Sequence, residues 1–400
     1  MVDTLKLVWA AYRSRQFERR HWRWVLDGWR HNEAQGVRYS PELTAAELKR
    51  RLSGRRVTRC SAGGVHTAVA TLTSNWGVGM VYELQELGPV SVFDWEQTGF
   101  LGPVWEHPDA LREMNQKLLE FLRRCHGERP IDWVFLPVSG MIVLRSTLKA
   151  IKDEFGVPLV NQWLDCKQSL TSGRTVCGQD SGQWDIAPEF DLVWTSARSM
   201  CEPYLMLGAC PLFLAEGFSP RLTPRVDLDP RHDVGFLGAR YGLRSNYIDA
   251  LRRAGLHVEA RGPGWEQGPA DLADIGRFFA ESRVNLGFGG VGYSMRLTTL
   301  KGRDFEVPGA GGAYLTTYNP DLAPYFHIGK EIVCYRDRDE CVWLARQLVK
   351  DEAWRAALRQ NAYERSMREH RWQHRFQHVL GLLGILPSTS QEAPVETASA

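Results

Sequence analysis

Residues 233–260 read DVGFLGARYGLRSNYIDALRRAGLHVEA, and this stretch decides the fold. A short apolar run over Asp233–Leu237 is followed by the glycine-bounded loop Gly238–Gly242. A helix-period segment over Ser245–Ala254 and a second apolar run over His257–Ala260 complete the pattern. Short apolar runs that alternate with helical segments are typical of βαβ units. The stretch therefore predicts an α/β protein with a parallel sheet.

The same alternation extends in both directions from this stretch. Upstream it predicts six strands, over 66–73, 90–94, 131–137, 158–163, 191–195 and 211–215, with an amphipathic helix over 108–124. Downstream it predicts a helix over 271–281, strands over 283–287, 314–317 and 331–335, a helix over 339–349 and one long charged helix over 352–383. The segment Phe218–Arg231 contains three prolines, which favour an extended connector. Two βαβ series joined by a connector predict two Rossmann-like lobes.

Length and composition fit that organisation. A chain of 400 residues is long enough for two cores of ordinary size. We predict a basic, tryptophan-rich helical extension over 1–58, an N-terminal lobe over 59–225 and a C-terminal lobe over 226–383. The last segment, 384–400, is rich in Ser, Thr, Ala, Pro and Glu, a composition typical of a disordered tail.

Charge and cysteine usage limit the classes of function. The formal net charge is +2, which argues against a general nucleic-acid binder. Eight cysteines occur without a Cys-x-x-Cys pair, so we expect reduced thiols and no zinc site. No apolar run reaches the roughly 20 residues that a transmembrane helix needs. The first residues lack the order of a secretory signal, so we expect a cytoplasmic protein.

The N-terminal extension permits two interpretations. Residues 1–30 contain seven Lys and Arg against three Asp and Glu, together with several tryptophans. A basic helix of this kind can lie on an anionic membrane surface. Alternatively, the helix docks on the core through Trp22, Trp24 and Trp29 and leaves its arginines in water. The sequence leaves both interpretations open.

The densest group of polar residues lies in 297–320, LTTLKGRDFEVPGAGGAYLTTYNP. It follows the predicted strand 283–287, and ligands of parallel sheets bind at the carboxyl ends of strands. Lys301 and Arg303 could bind phosphates, and Glu306 could accept hydrogen bonds from ribose hydroxyls. We favour Arg303 over Lys301 as the direct phosphate ligand because its planar fork binds two oxygens at once.

Several segments of the C-terminal lobe resemble the GT-B glycosyltransferases, and most closely the spore-maturation, CgeB-like branch. The matching residues are 234–240, 261–265, 285–289, 301–312 and 318–320. The resemblance implies the GT-B fold, in which two Rossmann-like lobes with parallel sheets face a cleft. It also implies transfer of a sugar from a nucleotide donor, linked to UDP, GDP or dTDP, without a bound metal or cofactor. Glu306 stands where the family's ribose-binding glutamate stands. Thr298 replaces a second glutamate that many relatives carry, which leaves the identity of the sugar open.

The remaining candidate residues have both a functional and a structural interpretation. The loop after Leu237 offers Gly238 to an anion, and Arg240 and Arg244 strengthen this prediction, although the loop lacks full dinucleotide-binding spacing. We include Gly311 and Gly312 in the donor-binding set. Asp165 follows the predicted strand 158–163 and is the candidate general base for a hydroxyl acceptor, or alternatively a helix cap.

Three rival functions remain on sequence grounds. A non-catalytic nucleotide-sugar-binding scaffold would keep the donor residues without a base. A membrane-surface protein would act through residues 1–30. A nucleotide-sugar epimerase would turn over the donor without an acceptor.

Overall fold

The computed structural model describes residues 2–388, with side chains from Tyr12 onward. Contacts divide this part of the chain into two compact units. The N-terminal unit contains His21–Ala215 and the residues from Arg375 onward, and the C-terminal unit contains the residues up to Arg20 and Glu216–His374. The four-segment division predicted from the sequence stays a prediction. Residues 389–400 of its tail lie outside the described residues.

The N-terminal unit is built on a six-stranded parallel sheet with the order β2-β1-β3-β4-β5-β6. Its strands are β1 Thr67–Ala70, β2 Val90–Phe93, β3 Trp133–Leu136, β4 Leu159–Gln162, β5 Leu192–Thr195 and β6 Pro211–Phe213. Its helices are α1 Val2–Ala34 from His21 onward, α2 Pro41–Leu52, α3 Gly77–Gln85, α4 Pro108–Glu128, α5 Arg145–Phe155, α6 Cys166–Ser169 and α7 Cys201–Met206. All six predicted strands and the predicted helix over 108–124 are therefore present.

Local signals set the ends of these elements. The Ser40 hydroxyl accepts a hydrogen bond from the Leu43 amide at 3.1 Å, which caps α2, and Pro41 occupies its first turn. Gly156 ends α5 with φ +64°, a conformation that favours glycine. The α4 side chains that the periodicity placed on one face, including Leu111, Leu118 and Leu122, are buried against the sheet. These helices form where the capping residues set the ends and the periodic apolar side chains are buried.

The C-terminal unit has a five-stranded parallel sheet with the order β13-β12-β9-β7-β8. Its strands are β7 His232–Leu237, β8 Val258–Arg261, β9 Ser282–Leu286, β12 Tyr314–Thr317 and β13 Val333–Tyr335, with an antiparallel hairpin of β10 Gly290–Val291 and β11 Ser294–Thr298. Its helices are α8 Arg244–Arg253, α9 Ile275–Ala280, α10 Arg303–Gly309, α11 Arg338–Lys350 and α12 Glu352–Glu369, and α13 Trp372–Leu382 begins in this unit.

Two details differ from the sequence prediction. The long helix predicted over 352–383 is two helices, because the chain breaks at His370, whose buried ring nitrogen Nε2 contacts the Tyr325 carbonyl oxygen at 2.8 Å. The hairpin β10–β11 was not predicted. None of the helices in the described part of the chain is both long enough and apolar enough to cross a bilayer.

Both sheets follow the same winding. In each unit the first strand of the series lies between the second and the third, and the order then continues outward. Ligands of such sheets bind beyond the carboxyl ends of the two central strands, where the winding reverses. In the C-terminal unit these strands are β7 and β9, which end at Leu237 and Leu286.

Candidate functional site

The site is built on the first turn of α10, which Asp304 holds in place. Asp304 is buried, and its carboxylate accepts hydrogen bonds from the Lys301 amide and the Tyr314 hydroxyl, each at 2.8 Å. Burial raises the pKa of Asp304 to about 6, although these donors oppose the shift. No role was predicted for Asp304. Its position at a helix start, between Arg303 and the buried Phe305, is the sequence feature that indicates a role in fixing this turn.

Arg303 and Glu306 form an ion pair along α10. Glu306 is buried, whereas about 30% of the Arg303 side chain is exposed. The Arg303 Nε atom donates to the carbonyl oxygen of Leu237, the last residue of β7, at 3.3 Å. Desolvation lowers the pKa of Arg303 to about 10. Arg303, which is predicted to bind phosphate, and Glu306, which is predicted to bind ribose, therefore lie together at the carboxyl end of β7.

A second arginine lies near Arg303. Arg244 begins α8, donates to the Ala239 carbonyl oxygen at 2.8 Å, and lies over the Tyr241 ring at 4.0 Å. Burial lowers the pKa of Arg244, and the Arg244 charge contributes to lowering the pKa of Arg303. The Arg244 and Arg303 guanidinium groups are both removed from water to a large extent, and their positive charges repel. A negatively charged ligand would relieve both effects, so this site is suited to an anion.

Glu216 adds a second carboxylate to this site, which the sequence analysis missed. A Cβ atom built on Gly302 would lie 3.0 Å from the Glu216 Oε2 atom and 3.5 Å from the Glu306 Oε1 atom. Glycine at position 302 therefore lets two carboxylates approach the turn before α10. The Glu216 charge raises the pKa of Arg303, against the effect of Arg244. The only sequence signal was an acid directly after the predicted strand 211–215.

The loop after β7 lies beside the arginines. The Gly238 carbonyl oxygen accepts a hydrogen bond from Trp265 Nε1 at 2.8 Å, and a Cβ on Gly238 would lie 3.3 Å from Arg244 Nη1. Arg240 is exposed, with its guanidinium 5.2 Å from the centre of the Trp265 ring. Gly238 therefore lies beside Arg244, whereas the Arg240 side chain lies over the Trp265 ring.

The other predicted donor residues occupy different places. Lys301 precedes α10 and is partly exposed. Gly311 and Gly312 follow the helix at its other end, where added Cβ atoms would lie 3.1 Å from Arg225 and 2.8 Å from Asn285. Close packing thus accounts for these glycines without a ligand, and their donor role stays a prediction.

Asp165 lies in the N-terminal unit, three residues after β4, as the sequence suggested. It is exposed, and its backbone carbonyl oxygen accepts hydrogen bonds from the first turn after it. Its carboxylate is thus at a carboxyl strand end and accessible. Its role as a base stays a prediction.

Among the described residues, no group of three or more His, Cys, Asp or Glu side chains is arranged to hold a metal ion.

Comparisons with known proteins bear on the family and on the fold. Residues 244–381, about a third of the chain, match a family model described as glycosyl transferase-like. The structure of sucrose-phosphate synthase (tll1590) from Thermosynechococcus elongatus aligns with 78% of this chain and 96% of its own, at 11% identity and a TM-score of 0.51. That of Anabaena Alr3699/HepE in complex with UDP and glucose aligns with 78% and 98%, at 12% identity. Its TM-score of 0.49 is too low to carry an argument. No curated protein matches the sequence.

The matched segment begins at Arg244 and includes Arg303 and Glu306. The structural likeness, at low identity, concerns the fold alone. The two parallel sheets and this likeness confirm the predicted fold class. The chain has an α/β fold of the GT-B glycosyltransferase type, and most of the residues that match the glycosyl transferase-like family lie in its C-terminal unit.

Proposed function

We propose that the protein is a glycosyltransferase that moves a hexose-like sugar from a nucleoside diphosphate donor, linked to UDP, GDP or dTDP, to a hydroxyl acceptor. The observation that carries the proposal is the pair of desolvated arginines, Arg244 and Arg303, beside Glu306 at the winding reversal of the C-terminal sheet. The family match over 244–381 supports the same activity.

The charges of this site fit a nucleoside diphosphate. Arginine binds phosphate oxygens with paired hydrogen bonds, and two arginines lie close together at this site. Glu306 pairs with Arg303. A bound donor would replace both halves of this pair, with phosphate on Arg303 and ribose hydroxyls on Glu306.

The same residues would assist bond cleavage. As the bond between the sugar C1 atom and the phosphate oxygen breaks, negative charge grows on the departing diphosphate. Arg244 and Arg303 would stabilise this charge from fixed positions in a desolvated site. Lys301 and Arg240 would add longer-range positive charge. The reaction on this account needs no metal and no cofactor.

The acceptor needs a base. Its hydroxyl oxygen forms the new bond to C1, and its proton passes to a carboxylate if the reaction inverts the anomeric centre. Asp165 is our candidate because it is exposed at the carboxyl end of β4. Replacement of Asp165 by Asn should lower kcat by at least about 100-fold and leave donor affinity unchanged.

The test is release of nucleoside diphosphate from a panel of UDP, GDP, dTDP and CDP sugars, with mixed hydroxyl acceptors, in EDTA and in Mg²⁺. We expect release with one nucleotide class, dependent on acceptor and unaffected by EDTA. Donor binding without release would instead indicate a scaffold. Isomerised donor in the absence of acceptor would indicate an epimerase.

A further inference from the structure

Helix α1 has one face that the N-terminal unit buries. His21, Trp24, Gly28 and Asn32 recur at intervals of three and four residues and are all buried. A Cβ on Gly28 would lie 2.7 Å from the Pro203 nitrogen, and Asn32 Nδ2 donates to the Glu202 carbonyl oxygen at 2.9 Å. Close packing and this hydrogen bond fix the rotation of the helix on α7.

The opposite face of α1 presents large apolar side chains to solvent. Trp22 and Leu26 are each 49% exposed and Trp29 is 38% exposed, at intervals of four and three residues. They therefore form one stripe along the outer face. Of the three tryptophans that would pack on the core if the whole helix docked through them, only Trp24 is buried.

A row of arginines borders this stripe. Arg15, Arg19, Arg23 and Arg30 are exposed, lie on the same side of the helix, and form no ion pair within the described residues. Residues 12–38 contain seven arginines and three acids, a surplus of four positive charges. Two acids are engaged, because Glu33 pairs with Arg38 and Glu18 accepts a hydrogen bond from Ser294. The outer face is thus apolar along its centre and cationic along its flank.

We propose that this face, defined by Trp22, Leu26, Trp29, Arg19, Arg23 and Arg30 and called the α1 patch, binds an anionic lipid surface. Tryptophan and leucine enter the interfacial layer of a bilayer, where the indole keeps its polar edge near the headgroups. Arginines beside them meet lipid phosphates, and their stems cover apolar surface. The protein lies on the membrane through this face and does not span it.

Charge complementarity favours lipid over other occupants. A second copy of this patch would bring its unpaired arginine row against an identical row, which is repulsive. A nucleic acid would use the arginines but would gain little from Leu26, because phosphate contacts dominate such binding. An anionic lipid surface, in contrast, uses the stripe and the row together.

The test is co-sedimentation of the full chain with vesicles of phosphatidylcholine alone and of phosphatidylcholine mixed with phosphatidylglycerol. We expect binding to the anionic vesicles only, weakened by salt. The triple variant Trp22→Ser, Leu26→Ser, Trp29→Ser and the triple variant Arg19→Glu, Arg23→Glu, Arg30→Glu should each bind at least about tenfold more weakly. Unchanged circular dichroism and thermal melting would show that both remain folded.

Matched controls remove the same chemistry elsewhere. Leu101→Ser with Trp343→Ser removes exposed apolar side chains, and Arg112→Glu, Arg336→Glu, Arg368→Glu makes the same change in net charge. Both controls should bind as the wild type does. Equal loss in the controls, or no sedimentation of the wild type with anionic vesicles, would overturn the proposal. Loss with the arginine variant alone would show binding by charge without insertion of the apolar stripe, and would overturn the role given to Trp22, Leu26 and Trp29. A dimer that the serine variant dissociates would assign the patch to self-association.

Discussion

The carboxyl edges of the two sheets differ in chemistry although the strands follow the same order. In the C-terminal unit the edge holds Arg244, Arg303 and Glu306, which are charged and desolvated. In the N-terminal unit the residues at and just after the ends of β4 and β5 include Gln162 and Ser196, which are neutral, buried and without hydrogen-bond partners among the described residues. The exposed Asp165 follows three residues after β4. The same strand order thus carries a pair of arginines in one unit, and buried neutral side chains with one exposed acid in the other.

The largest expected effect comes from removing the cations of the C-terminal edge. The double variant Arg244→Met, Arg303→Met should bind the matching nucleoside diphosphate at least about 100-fold more weakly in calorimetric titration, because hydrogen bonds to charged groups are worth roughly 1.5–3 kcal/mol each. Arg277→Met is the matched control, since Arg277 pairs with Glu281 on the surface of the same unit. If the double variant and the control bind the nucleoside diphosphate with equal affinity, the carboxyl edge of the C-terminal sheet is not the anion site.

The next effect concerns ribose. Glu306→Gln should weaken binding of the nucleoside diphosphate by about tenfold, since one charge-assisted hydrogen bond is lost. The 2′,3′-dideoxy analogue should bind the wild type weakly and show no further loss with the variant. A purely structural role for Glu306 would weaken both ligands alike, and that result would refute the ribose assignment.

A neighbouring pair in β4 tests the N-terminal edge. The Asn161 amide nitrogen donates to the Leu136 and Val138 carbonyl oxygens, each at 2.8 Å, whereas neither polar atom of the Gln162 side-chain amide has a partner among the residues that the structure describes. Asn161→Leu should therefore lower the free energy of unfolding by about 2 kcal/mol, and Gln162→Leu by less than about 0.5 kcal/mol. Urea denaturation measures both.

The same two variants separate stability from function. Gln162→Leu should raise KM for the acceptor without changing donor affinity, because an unpartnered amide is available to a ligand. If Gln162→Leu destabilises the protein as strongly as Asn161→Leu, the Gln162 amide has a structural partner. The proposal that this amide binds the acceptor is then wrong.

The smallest effect is expected at Lys301. It is partly exposed, so solvent and salt screen its charge. Lys301→Met should weaken nucleoside diphosphate binding about threefold at low salt, and the difference should vanish at high salt. A loss as large as that of the arginine variant would place Lys301, rather than Arg303, in direct contact with phosphate. Lys330→Met provides a control of equal charge.

The sequence predicted most of the fold because its signals are local. Apolar runs such as 314–317 and the periodic face of α4 depend on neighbours within one element, and the structure reproduces them. At the break, the His370 carbonyl oxygen accepts from the Phe218 amide and the Trp372 amide donates to the Phe218 carbonyl oxygen, and Phe218 is distant along the chain. A pattern confined to one helix could not reveal it.

The site was predictable only in part, for a similar reason. Arg303 and Glu306 lie three residues apart, and their ion pair follows from helical spacing. Arg244 and Glu216 reach the same place from distant parts of the chain, Arg244 from the start of α8 and Glu216 from the segment that follows β6. The face of α1 was a missed local signal, since the spacing of His21, Trp24, Gly28 and Asn32 identifies the buried side.

The most direct measurement is thermal stabilisation of the wild-type protein by UDP, GDP, dTDP and CDP sugars, repeated on Glu306→Ala. A ligand at about 100 times its dissociation constant adds roughly 2.7 kcal/mol of stability. The account predicts that one nucleotide class raises the Tm of the wild type and has little effect on the variant. No stabilisation by any of them at millimolar concentration would contradict the assignment of a nucleotide-sugar site to the C-terminal unit.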